Sequence, residues 1–433
     1  MMTGKENGKS INRFRAILPF ALIVSLFFMW GIASSLNDIL IKHFKKSFEL
    51  TDFQSGFIQT AFYLGYFLLA IPAAQIMRKY GYKTGIVIGL VLFSAGAFLF
   101  YPAANVRLYG FFLTALFVIA SGCSFLETAA NPYVTILGPP ESAERRLNFA
   151  QAFNPLGTIF AVIIGRNFIF SGIEYTDRQL AAMTPEHLQT YLATETRAVQ
   201  MPYVVVGCVV LFWAFLFLIT RFPEVQESSL DEEGTHDGGS LKYLLRYRHF
   251  VLGVIAQFLY VGAQVCTWSY LIRYTQYSIP GTPEKTAADY LTITLVGFLL
   301  GRFTGTWLMN RIRPQHLMAV FAVANVVMSF MGVVGPGLIG LVPLIISSFF
   351  MSVMFPTIFA LGIKGLGVHT KLGSSLMVMS IIGGAVMTPI MGLISVNMNI
   401  KVAFIIVVAA YAFIVYYSLD GYKIKSGKAP INS

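Results

Sequence analysis

Two carboxylates stand in stretches that otherwise offer almost nothing polar. Glu127 occurs in CSFLETAANPYV (123–134), directly after FFLTALFVIASG, twelve residues without a charge. Asp38 occurs in SSLNDILI. The other eighteen of the twenty acidic residues fall in polar connections, tails or the ends of apolar runs. An ionised carboxylate near the middle of a membrane-spanning helix costs roughly 2.5–3.5 kcal/mol or more, so it faces a cavity or holds a proton. Burial favours the protonated form, and a group that gains and loses a proton near ambient pH is what proton carriage requires. The structural alternative is a hydrogen-bonding group that locks two helices. That account suits a lone Asn or Gln better than a carboxylate. Asp38 lies toward the outer end of its apolar run, and Glu127 lies deeper in its own.

Polar side chains keep these two company. Asn37 precedes Asp38, and Asn131 follows Glu127 by four residues. NFAQAFNPLG places Gln151 and Asn154 three apart, on one face of a helix. QFLYVGAQVCTWSYL carries Gln257, Tyr260, Gln264 and Trp268 at intervals of three or four. Amides that donate and accept, together with aromatic faces, suit a polyhydroxylated ligand such as a sugar. Helix packing by Tyr260 and Trp268 is the competing account. Arg302 is the remaining charge inside an apolar run. A guanidinium keeps its proton, so it needs an anion or a wet cavity, and a counter-ion role toward Glu127 is the expectation. Gly297, Gly301 and Gly305 around it make a stripe of small residues suited to a close helix contact.

The elements that position these residues follow from composition. The chain has 433 residues, of which 56% are hydrophobic and 12% charged, about half the charge of a soluble globular chain. Runs of about 20 apolar residues span a bilayer, and twelve are expected: about 17–41, 54–77, 84–104, 107–133, 148–170, 201–220, 248–273, 287–310, 315–335, 338–363, 372–396 and 400–420. Asn131 and Pro132 are expected to bend the fourth. The fold class is an all-α membrane protein.

The net charge of +11 raises nucleic acid as a partner, and the placement of the charges excludes it. With the N-terminus inside, twenty Lys and Arg fall in inside segments and ten in outside ones, which places both termini in the cytoplasm. The basic, then apolar N-terminus shows no cleavage site and is expected to remain as the first span. RFPEVQESSLDEEGTHDGGSLKYLLRYRHF (221–250) is expected to link two six-span halves. Residues 1–220 form the N-terminal half with the proton-coupling carboxylates, 221–247 the linker, and 248–433 the C-terminal half. GIEYTDRQLAAMTPEHLQTYLATETRAVQ (172–200) is expected to be a partly helical cap over the fifth and sixth spans.

The halves look like repeats. Gly31 falls on Gly262, GYFLLAIPAAQIMRKY (65–80) on GFLLGRFTGTWLMNRI (297–312), and Pro132 near Pro356. Two six-span halves about a cytoplasmic linker is the architecture of the major facilitator superfamily, with its solute site near mid-membrane. Cys123, Cys208 and Cys266 lie in apolar runs without metal or disulfide spacing. No nucleophile, zinc or phosphate-loop signature occurs, so an enzyme is not expected and ATP does not supply the drive. A drug or organic-cation exporter on the same fold, and a sugar facilitator or sensor without coupling, are the alternatives to a proton-driven sugar importer.

LNDIL, LTDFQSGFIQTAFYLGYF, LETAANPYVTILGP, RLNFAQAFNPLG, YVGAQVCTWSYLIRY, GRFTGTWL and PTIFALGIKGLG together resemble the fucose–galactose–glucose proton symporter family of that superfamily. The resemblance runs from about Phe20 to Leu419. It implies sugar–proton symport by alternating access, with L-fucose the first sugar and glucose or galactose the alternative. It implies a protonatable pair, Asp38 and Glu127, and sugar contacts at Gln151 and Asn154. Asp38, Asn37, Tyr260, Gln264 and Trp268 join them as candidate sugar-binding residues. No cofactor and no metal are implied, since the proton gradient drives transport. The setting is the bacterial cytoplasmic (inner) membrane, with sugar, proton and lipid as partners, no obligate protein partner, and a monomer. Ser34 and Ser35 stand where the pattern of fucose-transporting members is rich in asparagine, and Phe355 where it has tyrosine. Both changes remove hydrogen-bonding groups and bear on which hydroxyl pattern is accepted.

Overall fold

The computed structural model describes residues 18–36, 44, 48, 52–164, 183–222 and 241–424. Asn37 and Asp38 lie outside the described residues, as does most of the expected linker. Among the described residues the regular structure is entirely helical, and ten helices are long and apolar enough to cross a membrane. One of these, Phe57–Val106, is 50 residues long and contains the second and third expected spans. Gly81 separates them with φ 81°, a backbone conformation that suits a residue lacking Cβ. The fifth span is described as two shorter helices, Ala143–Gln151 and Phe153–Ile164. All twelve expected spans therefore have a helical counterpart.

Prolines account for two of the interruptions. A proline within a helix removes one N–H and crowds the carbonyl four residues earlier. Pro155 does this to the carbonyl of Gln151, and the fifth span breaks at Ala152. Pro356 does it to Ser352, and the tenth span breaks into Gly337–Met351 and Met354–Ile363. Pro132 behaves differently. The fourth span, Tyr109–Ile136, is one helix that runs through it, so the expected bend is not expressed as a break.

The chain divides into two compact units. The first comprises Met1–Ala130 with Phe153–Glu224, and the second Asn131–Ala152 with Val225–Ser433. These units differ from the halves drawn on the sequence by one segment, 131–152, which sides with the C-terminal helices. Polar contacts inside the second unit explain why. Lys364 Nζ meets Glu144 Oε1 at 2.9 Å, and Asn148 Nδ2 donates to Thr357 Oγ1 at 3.1 Å. Arg145 donates to Asn310 Oδ1. Arg146 folds back on the end of the fourth span, donating to the carbonyls of Val134, Thr135 and Pro139.

In the first unit, the span Leu18–Leu36 crosses the fifth at glycines. A Cβ on Gly31 would lie 2.0 Å from the carbonyl oxygen of Asn154, and one on Gly157 would lie 2.0 Å from that of Phe28. The third and sixth spans are joined by Phe100 and Tyr203, stacked with centroids 3.7 Å apart. Helix Pro185–Arg197 lies within the segment 172–200, capped by Thr184 accepting from the His187 amide. Its Gln189 accepts from Arg107, just beyond the end of the third span.

In the second unit, Arg248–Ser278 crosses the eleventh span, whose main helix is Gly383–Asn397. A Cβ on Gly383 would lie 2.1 Å from the carbonyl oxygen of Phe258, and one on Gly262 would lie 2.1 Å from the Met387 sulfur. The eighth span, Glu284–Leu308, approaches the tenth at Gly301, where a Cβ would fall 2.2 Å from the carbonyl of Phe349. The expected contact role of that glycine stripe is visible at Gly301 and Gly305, while Gly297 faces open space.

Candidate functional site

Glu127 is 2% exposed and lies about two and a half turns from the nearer end of its helix, at Ile136. The helices of the first unit surround it with polar groups that the sequence did not single out. Tyr66 of the second span lies within electrostatic reach of both Cys123 and Glu127, and Trp30 of the first span reaches the same phenol. Ser124, three residues before Glu127, donates to the carbonyl of Tyr66 at 3.1 Å. The neighbouring Gly65 permits this approach: a Cβ there would fall 2.9 Å from the carbonyl of Phe117. The carboxyl group thus sits where three spans meet, in surroundings that disfavour an uncompensated charge.

The amide and aromatic candidates are distributed between the two units. Asn154 is half-buried in the first, at the crossing against Gly31. Gln151 belongs to the second, on the other side of the break at Ala152. There the fold brings together residues that are far apart in sequence. Arg302 Nη1 donates to Gln151 Oε1 at 3.1 Å, and Gln151 Nε2 donates to Asn131 Oδ1 at 2.9 Å. The guanidinium also lies over the Phe298 ring, 5.0 Å from its centroid. A cation on an aromatic face recovers part of the solvation lost on burial. Phe298 meets the Trp268 ring edge-on at 5.2 Å. One continuous array therefore runs from Trp268 through Phe298, Arg302 and Gln151 to Asn131. Within the described residues of the second unit, no carboxylate is ion-paired with Arg302. Glu127, the counter-ion expected from sequence, belongs to the first unit.

The stripe on the seventh span divides along its length. Gln257 and Tyr260 are fully buried, whereas Gln264 and Trp268 are half-buried. The Tyr260 hydroxyl donates to the Met351 carbonyl at 3.0 Å. That carbonyl lies at the break in the tenth span, so Tyr260 satisfies backbone freed there. Trp268 Nε1 donates to Ser348 Oγ at 2.9 Å, which orients the indole and leaves its ring as an apolar face. Phe355 packs against Tyr260 with centroids 6.2 Å apart. Sequence reasoning passed over Tyr66, Phe298 and Ser348. Of these, only Tyr66 carried a signal, through its place beside Gly65.

Charge and amide groups buried this deeply in a membrane-spanning bundle mark a solute pathway rather than an anchor. That defines the class as a membrane transporter. A model of the Major Facilitator Superfamily matches residues 20–371, and the chain belongs to that superfamily. It is 48% identical over 381 residues to the L-fucose-proton symporter of Escherichia coli (strain K12), covering 88% of this chain and 87% of that one. It is 39% identical over 407 residues to the glucose/galactose transporter of Brucella abortus biovar 1 (strain 9-941), covering 93% and 94%. Among solved structures it is similar to FucP, a Major Facilitator Superfamily transporter in the outward conformation. The TM-score is 0.86 at 46% identity, over 93% of this chain and 98% of that one. The proton:xylose symporter XylE, at 15% identity and a TM-score of 0.71 over 94% and 95%, shares the fold.

Proposed function

We propose that this chain is a proton-coupled monosaccharide importer, with L-fucose as its sugar and glucose or galactose as the alternative. The observation that carries the proposal is Glu127, a carboxyl group 2% exposed inside an apolar helix. A group so placed takes part in transport by gaining and losing a proton, because a permanent charge there would be costly. The relatives favour the same chemistry, since the symporter of Escherichia coli is named for L-fucose and the proton. The glucose/galactose transporter of Brucella abortus supports the alternative sugar at lower identity.

In this scheme Asp38 and Glu127 are the protonatable pair. Gln151, Asn154 and Gln264 meet sugar hydroxyls, with Asn37 and Asp38 at the outer end of the first span. Trp268 offers the apolar face of the sugar a flat partner, and Tyr260 holds the seventh span against the tenth. No cofactor is needed. One proton moving down a potential of ~150 mV supplies about 3.5 kcal/mol, enough for several-hundredfold accumulation (~1.4 kcal/mol per tenfold). The setting is the bacterial cytoplasmic membrane with both termini inside, and the transporter works as a monomer.

The test uses vesicles containing the full chain. Adding L-fucose to energy-depleted vesicles is expected to make a weakly buffered exterior alkaline, and Asp38→Asn is expected to abolish the signal. Unlabelled L-fucose should compete with labelled L-fucose more strongly than galactose or glucose does. Counterflow at full rate with no proton movement would show an uncoupled facilitator instead.

A further inference from the structure

Arg302 imposes an order on two amides. A guanidinium donates and never accepts, so the Gln151 amide must turn its oxygen toward Arg302, as it does at 3.1 Å. The amide nitrogen then faces the other way and donates to Asn131 Oδ1 at 2.9 Å. Asn131 must present its oxygen to receive that bond, which sends its own Nδ2 away into a buried position without an acceptor. An isolated amide can exchange its N and O ends by a half-turn of the side chain, and only its partners decide between them. Here one fixed charge decides for both. Arg302, Gln151 and Asn131 are 4%, 3% and 0% exposed, so water does not compete for the choice. The guanidinium also lies over Phe298, one turn earlier on the same helix, and Phe298 rests on Trp268.

With one acceptor site and one N–H committed, Gln151 keeps one of each for a ligand. Their left-to-right order is set by Arg302. A hydroxyl can donate or accept, so sugars that differ at one hydroxyl differ in where that group lies, and a buried polar group left unpaired discriminates strongly between them. We propose that Arg302 is a positioning residue for sugar selection: it fixes the place and sense of the Gln151 carboxamide and so determines where a sugar hydroxyl is matched. This rests on the proposal that Gln151 contacts the sugar. The simpler role for Arg302 is to tie the eighth span to the fifth, and such a tie would affect stability without altering sugar preference.

A double-mutant cycle on the purified full-length chain separates these roles, with binding of labelled L-fucose and of labelled D-galactose as readouts. Gln151→Ala and Arg302→Met are each expected to weaken L-fucose by about tenfold or more, the cost of an unmade buried hydrogen bond. Arg302→Met added to Gln151→Ala is expected to change affinity by less than about twofold, because the two side chains act as one unit. Arg302→Met alone should also move the L-fucose to D-galactose affinity ratio toward one. Should Arg302→Met fail to fold, Arg302→Gln enters the same cycle, since its amide can donate or accept and no longer dictates the order. The inference falls if the single effects simply add, or if Arg302→Met leaves affinity and preference unchanged while Gln151→Ala weakens binding. If Gln151→Ala binds both sugars normally, the sugar-contact role of Gln151 falls, and the inference falls with it.

Discussion

The crossing of the first and fifth spans and that of the seventh and eleventh share a backbone geometry and differ in what they carry. Gly157 lies against the carbonyl of Phe28 in the first unit, and Gly383 lies against that of Phe258 in the second. Gly31 and Gly262, aligned by the repeat, each receive the opposite helix. Near the first crossing, Glu127 of the fourth span shares Tyr66 with Trp30, and Asp38 follows Gly31 by seven residues in the sequence. Around the second the sequence places Gln257, Tyr260, Gln264 and Trp268, and Ser269 stands where the repeat would put Asp38. The lesson is that close backbone approach restricts residue type narrowly, so both units keep glycine there. The neighbouring chemistry is free to diverge, toward carboxyl groups in one unit and amides with aromatic rings in the other.

The sharpest way to break that comparison is Glu127→Gln. Accumulation of L-fucose in energised vesicles is expected to fall from several-hundredfold to about onefold, while counterflow stays within about threefold of the parent. A Gln variant that still concentrates sugar would remove the carboxylate from the coupling role and leave the two crossings chemically equivalent.

Next come the glycines themselves. Gly157→Ala and Gly383→Ala each drive a methyl into a backbone carbonyl, which side-chain rotation cannot relieve. Each is expected to cost about 2–3 kcal/mol, read as matched losses in thermal stability of the purified protein. Destabilisation of only one would show that the crossings are not equivalent. Gly31→Ala and Gly262→Ala should separate from each other. The first meets the Asn154 carbonyl, whereas the second meets the flexible thioether of Met387. About 2 kcal/mol is expected for the former and under about 1 kcal/mol for the latter. A similarly small effect belongs to Trp268→Phe, which keeps the aromatic face and loses the bond to Ser348. About 1 kcal/mol of stability should go with it, together with a modest rise in the KM for L-fucose.

Much of this was legible in the residues. Twelve apolar runs were long enough to cross a bilayer, and each has its helix. The rarity of carboxylates in those runs singled out Glu127, which the structure buries. The spacing of Gln257, Tyr260, Gln264 and Trp268 put them on one face. Other features were hidden. A stripe on a helix does not say how deep each turn lies, and here Tyr260 is spent on a backbone carbonyl while Trp268 keeps a half-open face. The bend expected at Pro132 did not become a break, because its helix continues beyond it, whereas Pro155 and Pro356 do mark breaks. Arg302 showed only that it needed a partner. Gln151, 151 positions away in sequence, could be recognised as that partner only once the helices were packed.

What the sequence by itself determined is the solvent of each segment. Hydropathy and charge follow from composition over about twenty residues, and they specify the spans and the residues too polar to be there without cause. What only the tertiary structure decided is pairing. It decided that segment 131–152 sides with the C-terminal helices through Glu144 and Lys364, that Tyr66 attends Glu127, and that one arginine orders two amides. Such contacts depend on where two helices meet and at what rotation. That is set by the sum of many packing contacts along each helix, so no local window of sequence contains it.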